Sequence, residues 1–393
     1  MAARRVADAL LFLLAAAIPL STTAMEGAVL ALGALTLFTA ARRQSPVRAT
    51  PLDGVLGLFY ATLALSTVVS GHLREATGWA RLWVVLTYFV VFWWLRDRRQ
   101  TIRFVYVLVG AGATAAAYGL LQHATGADWY RAALGRPLLV HPREAGGAGY
   151  AIVGFFRNYL TFAHTMLFPL AWATALAIGG AVAALGAAAL LVLAIAFSTA
   201  RGVWLATVAV VAVLALIARG RPAAFAVAGL AAAALLGFAV SRDLRHEAAQ
   251  MFGLGGPNVG RVAIYEANLD IIHAHPVLGL GFGRYQAAAL PYYTTHPLAD
   301  RRSHAHSDYL QIAAEAGLTG LAAFALLFAV ALRRGWTAIA DAPDATVRAT
   351  AAGAWAGIVG FLVGGITQYN FGDNEVAIAM WTALAVLMRL REP

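Results

Sequence analysis

The chain has 393 residues, 61% of them hydrophobic and only 12% charged, where soluble domains carry roughly a quarter charged residues. Apolar runs recur from Ala7 to Met388, which excludes water as the main solvent and makes the lipid bilayer the chain's surroundings. With no Cys and no Lys, and all 29 basic residues Arg, disulfide scaffolds, thiolate chemistry, Schiff-base lysines and Walker-type phosphate lysines are excluded. The net charge of +10 fits anionic lipid headgroups and phosphate-bearing substrates at least as well as nucleic acid, and the short loops set nucleic acid aside.

The N-terminus resembles a signal peptide, with Arg4 and Arg5, an apolar stretch over 6–20 and small residues to Ala24. A retained first helix is expected instead, because another apolar stretch follows at 27–41. Apolar stretches near bilayer length predict twelve spans, at about 6–22, 27–41, 54–70, 82–95, 102–121, 158–178, 181–198, 203–218, 222–240, 310–332, 350–366 and 374–388. The expected fold class is all-α, a polytopic membrane protein of about 12 transmembrane helices.

A cytoplasmic N-terminus places Arg42, Arg43 and Arg48, then Arg96 to Arg103, Arg219 and Arg221, Arg333 and Arg334, and Arg389 and Arg391 on inside loops, as the positive-inside rule requires. Two polar segments, about 122–157 and 241–309, are then outside. The chain divides accordingly into helices 1–9 over 1–240, a large periplasmic loop over 241–309, and helices 10–12 over 310–393. Within that loop, Pro257 and Asn258 open a short helix that Pro276 stops. Its apolar residues, Val262 to Ile272, leave Arg261, Tyr265 and Glu266 on the remaining surface, as an interfacial helix would.

Four places in this frame carry groups capable of chemistry. The apolar run 179–218 is broken only around Ser198, Thr199, Arg201 and Gly202, so it is a helical hairpin with Arg201 at its outer turn. A charge drawn to mid-membrane would cost about 2.5–3.5 kcal/mol. Such an Arg either snorkels to the interface or clamps a phosphate, for which guanidinium is a planar bidentate donor. Arg157 opens the sixth span, with His164 seven residues later on the same face. Arg261 stands near the start of the loop helix, against the helix dipole. Arg301, Arg302, His304 and His306 precede the tenth span, and an imidazole there can take a proton from a sugar hydroxyl. His-Ala-His occurs twice, at 273–275 and 304–306. The first pair faces two ways at a helix end with no carboxylate at ligand spacing, so no metal site is expected. Asp373 and Glu375 read as charges at the start of the last helix, and Gly279, Gly281 and Gly283 as a tight turn.

Over about 154–320 these residues resemble the O-antigen ligase superfamily, which includes ligases, Wzy-type polymerases and some protein O-oligosaccharyltransferases. The resemblance rests on Gly154-x-x-Arg157-Asn158, on Ser198-Thr199-Ala200-Arg201-Gly202, on Gly260-Arg261 followed by Pro276 to Gly281, and on His306-Ser307 with a nine-residue spacer to Gly317. Thr199-Ala200 departs from the commoner Ser before the Arg, but the Arg is kept. The resemblance implies a GT-C-like, metal-independent, inverting glycosyl transfer without cofactor, at the periplasmic face of the bacterial inner membrane. The donor would be undecaprenyl diphosphate-linked O-antigen and the acceptor lipid A core. His306 would activate the acceptor hydroxyl, and Arg201 and Arg261 would hold the diphosphate. Arg157, Arg301, Arg302, His304 and Tyr265 would be substrate-binding. A polymerase differs only in its acceptor, a second lipid-linked repeat. A lipid or solute transporter, the alternative of a different class, would place its polar groups near mid-membrane.

Overall fold

The computed structural model describes all residues except 1, 73, 75–76, 141–148, 219, 252–256, 300–303 and 393. Among the described residues the regular structure is helical, without strands. In chain order, α1 (Ala2–Leu20), α2 (Thr22–Ala41) and α3 (Asp53–Val69) lead through a 3₁₀ segment, Thr77–Val85, into α4 (Leu86–Trp94), α5 (Arg98–Thr125) and the short α6 (Trp129–Ala133). Next come α7 (Tyr159–Ile178), α8 (Val182–Ser198), α9 (Arg201–Ala218) and α10 (Arg221–Val240). The segment after α10 folds as α11 (Arg242–Ala249), α12 (Pro257–Ala274), α13 (Tyr285–Ala288) and α14 (Leu290–Thr294), and the chain closes with α15 (Asp308–Ala340), α16 (Ala345–Gly364) and α17 (Asn374–Arg391).

Every predicted apolar stretch is helical. Among the described residues seven helices, α2, α5, α7, α9, α10, α15 and α16, are long and apolar enough to cross a membrane, and α3 and α8 are shorter apolar helices. The protein is a multi-pass membrane protein. The stretch expected at 82–95 is divided: its first part is 3₁₀ and α4 is nine residues long. The cause is a backbone contact. Gly78 N donates to Gly283 O at 3.3 Å, a Cβ at Gly78 would collide with Gly283 Cα, and Trp79 Nε1 donates to Thr67 Oγ1 at 2.9 Å.

α7, α16 and α17 form the centre of the bundle, with Trp172, Phe361 and Trp381 fully buried. The arginine-rich end is tied by Arg96 to Asp8 at 2.7 Å and Arg48 to Glu392 at 3.1 Å, and the buried Arg389 donates to Leu95 O at 2.8 Å. The other end is tied by Thr22 to Glu375, Asn374 to Glu26 and Thr161 to Asp373.

The region 241–309 has its own small core of Ala263, Ile264, Ala267, Ile271, Tyr285 and Tyr293, joined to α15 through Ala314. The apolar surface of α12 is therefore split. Ala263, Ile264, Ala267 and Ile271 face this core, while Val262 and Leu269 are exposed. The helix starts one turn earlier than Arg261, at Pro257.

α15 is broken at Gly317, whose φ of 67° is left-handed. The break frees backbone groups, and the segment after α12 uses them: Leu280 N donates to Ala314 O at 2.9 Å, Gly281 N to Glu315 O at 3.0 Å, and Leu318 N to Pro276 O at 2.8 Å. Positive φ at Gly279 and Gly281 lets the segment turn into this docking. A Cβ at Gly317 would strike the Val277 carbonyl. Gly317→Ala is therefore expected to destabilise the protein by about 2 kcal/mol or more, read as a lower melting temperature in detergent. Gly33→Ala, where a Cβ meets open space, should leave it unchanged.

Candidate active site

The predicted hairpin turn is present. α8 ends at Ser198, Thr199 takes the left-handed conformation at φ 58°, and α9 begins at Arg201. The Arg201 side chain is only 13% exposed and is not alone. Its guanidinium lies 3.8 Å from Glu247 Oε2 and donates to Gln250 O at 3.1 Å and Asn258 Oδ1 at 3.4 Å. These partners compensate the charge that the sequence places beside the membrane, and they bring Arg201 to the start of α12. Arg261 lies one turn beyond Asn258, half-buried, and among the described residues no hydrogen bond or ion pair engages it. Tyr265 follows one further turn on. Burial pushes its phenol above the usual range, and the charge of Arg261 opposes part of that rise, so the hydroxyl stays a donor.

His306 precedes α15 with φ 52°; Arg43, Thr199 and His306 are the non-glycine residues with positive φ among those described. His306 is itself a predicted catalytic position and Thr199 lies two residues before another, Arg201; strained backbone persists only when neighbours hold it. At His306 the holding contacts are explicit. Tyr265 Oη donates to the His306 carbonyl at 3.3 Å and is 3.3 Å from the Ile366 carbonyl, and His306 Nδ1 meets Gln368 Oε1 at 3.1 Å. An Nδ1–H donating to Gln368 leaves the lone pair on Nε2, the tautomer of a general base. His304 packs edge-on against His306 with ring centroids 4.4 Å apart, and its Nδ1 accepts from His306 N at 3.3 Å.

The meeting point is the loop between α16 and α17, residues 365–373. Gly202, next to Arg201, has no side chain because Thr367 occupies that space. Ile366 meets Tyr265, and Gln368 meets His306. Beneath the loop, Asp308 is buried, its N donating to Gly365 O at 2.7 Å and its Oδ1 accepting from Phe371 N at 2.8 Å. Sequence reasoning missed this hub. The signal available was the polar run Thr367-Gln368-Tyr369-Asn370 between two apolar helices.

Arg157 does not open a helix as expected: Asn158 is the N-cap of α7, accepting from Leu160 N, and Arg157 precedes it. Proximity to the cap leaves Arg157 exposed while His164 is buried in the bundle, so the two are not partners. Arg157 instead lines a cleft of about 570 Å³ together with His304, Gln368 and Tyr369. Asp373 does cap α17 as expected, and also accepts from Thr161 in the wall of the cleft. The expected roles of Arg301 and Arg302 fall outside the described residues. His273 and His275 stand apart from His304 and His306, His275 lying 3.1 Å from Tyr292 Oη. Among the described residues no three His, Cys, Asp or Glu side chains gather as a metal-ligand set.

Fold and site together define a class: a multi-pass helical membrane protein in which an imidazole and a phenol meet one interhelical loop, with guanidinium groups at the starts of the adjoining helices. Residues 186–325 match the family profile described as O-antigen ligase, a stretch that contains Arg201, Arg261, Tyr265, His304 and His306. The matched segment, about a third of the chain, is similar to the O-antigen ligase/Wzy family. No curated protein matches it. Tyr265→Phe removes the donor that reaches the His306 carbonyl and is expected to cost about 1 kcal/mol. It should also shift the NMR signals of isotope-labelled His306; an unchanged imidazole spectrum would mean that the phenol does not set the histidine's position.

Proposed function

We propose that the protein is an O-antigen ligase, transferring a glycan from undecaprenyl diphosphate to a sugar hydroxyl of lipid A core at the periplasmic face of the inner membrane. The reading includes twelve spans in a GT-C-like arrangement, divided as helices over 1–240, a periplasmic region over 241–309 and helices over 310–393. The observation that carries it is the meeting of Tyr265 and His306 with the 365–373 loop, beside which Gly202 places Arg201 and one turn of α12 places Arg261; all four residues lie in the matched segment.

In this mechanism His306 Nε2 takes the proton of the acceptor hydroxyl while that oxygen forms a bond to the anomeric carbon of the donor. The bond from this carbon to the diphosphate oxygen breaks, the electron pair leaves with undecaprenyl diphosphate, and the anomeric configuration inverts. Arg201 and Arg261 hold the diphosphate and stabilise its developing charge. The leaving group is already good, so positioning and charge stabilisation suffice without a metal.

Reconstitution in chelator, with undecaprenyl diphosphate O-antigen and with or without lipid A core, tests this reading. Product only with lipid A core is expected. Donor lengthening without it would make the protein a polymerase, and no product under any condition would favour transport. His306→Ala is expected to lower the transfer rate by about two to four orders of magnitude, and Arg201→Ala and Arg261→Ala by about two to three, with folded protein retained. Full activity in His306→Ala would remove the general base from the mechanism.

A further inference from the structure

The Arg157 cleft is not the place where Arg201 and Arg261 act, since neither lines it. Its volume of about 570 Å³ lies in the range of small-molecule sites, about 300–1,000 Å³, yet its wall is mainly hydroxyls, amides and charges rather than the usual apolar lining. That composition fits a polyhydroxylated ligand. Three carboxylates are present, and each is already engaged: Asp373 by Thr161, Glu375 by Thr22, and Glu26 by Asn374.

Four arginines also line the cleft. Arg81 donates to Gly372 O at 3.2 Å, and Arg131 is 3.7 Å from Asp128 and donates to Phe156 O at 3.3 Å. Arg136 and Arg157 are exposed, and among the described residues no hydrogen bond or ion pair engages either. The three carboxylates are tied into the wall by hydrogen bonds and are outnumbered by the four arginines, of which the two uncommitted guanidinium groups select for an anionic substituent. It also adjoins the proposed base, because Gln368 both lines the cleft and meets His306 Nδ1.

We propose that this cleft is the acceptor subsite and that Arg136 and Arg157 bind an acidic group, phosphate or carboxylate, carried by the acceptor sugar. Acceptor and donor are then held by separate arginine pairs that share the 365–373 loop: Thr367 packs against Gly202 beside Arg201, and Gln368 and Tyr369 face the acceptor. This inference rests on the proposed transferase reading, and the test separates the two.

In the reconstituted assay, Arg136→Gln/Arg157→Gln is expected to raise the KM for lipid A core about tenfold, equivalent to losing one or two charge-assisted hydrogen bonds, with donor KM and kcat within twofold. Wild-type protein should lose a similar factor on acceptor that has been either dephosphorylated with hydrofluoric acid or carboxyl-reduced. The treatment that reproduces the loss identifies the group, and the double variant should be indifferent to it. A raised donor KM, or unchanged discrimination between treated and untreated acceptor, overturns the subsite. If the wild type transfers nothing to lipid A core, the ligase reading fails, and the subsite is decided by thermophoresis with untreated core oligosaccharide. Binding about tenfold weaker in the double variant supports it, and equal binding overturns it.

Discussion

The arrangement depends on one backbone constraint, the break in α15 at Gly317. A continuous helix would consume the carbonyls of Ala314 and Glu315 in its own ladder; the break releases them, and the segment 276–281 occupies them. Burying unpaired backbone groups is costly, so break and segment stabilise each other and neither persists alone. This docking fixes the C-terminal end of α12 against α15, while the other end of α12 carries Arg261 and Tyr265 toward His306. The nine residues between Ser307 and Gly317 are the helical spacer from the His306 turn to the anchor.

Around that anchor the site is assembled from compensated liabilities. The membrane-adjacent charge of Arg201 is met by Glu247, Gln250 and Asn258. The left-handed backbone of His306 is held through Tyr265 and Gln368. The buried carboxylate of Asp308 receives the Phe371 amide, and so fixes the loop that supplies Gln368. Each contact joins elements far apart in the chain, which makes the site a property of the closed bundle rather than of any helix.

Much of the helical frame was legible from hydropathy, because a bilayer demands long apolar stretches and internal hydrogen bonding. The turn at Arg201, the helix opened by Pro257 and the glycine turn at 279–283 were legible for equally local reasons: a polar break in an apolar run, a proline, and residues tolerant of positive φ. The 365–373 loop was not, since Gln368 lies 62 residues from His306 and no periodicity encodes that pairing. The 3₁₀ form of Thr77–Val85 was hidden similarly, being imposed by the distant Gly283. Arg157 was visible as an arginine, but its cleft was not, because Arg81, Arg131 and Arg136 reach it from separate segments.

That one loop touches both the Arg201 turn and the Arg157 cleft has an evolutionary consequence. Substitutions at Thr367 or Gln368 disturb both places at once, so selection on either one restrains them. Arg136 and Arg157 line the cleft from exposed positions, outside the network that orients His306, where exchange alters the charge of the cleft without touching that network. Descendants of this protein can thus change clientele by drifting at the rim while the interior stays frozen.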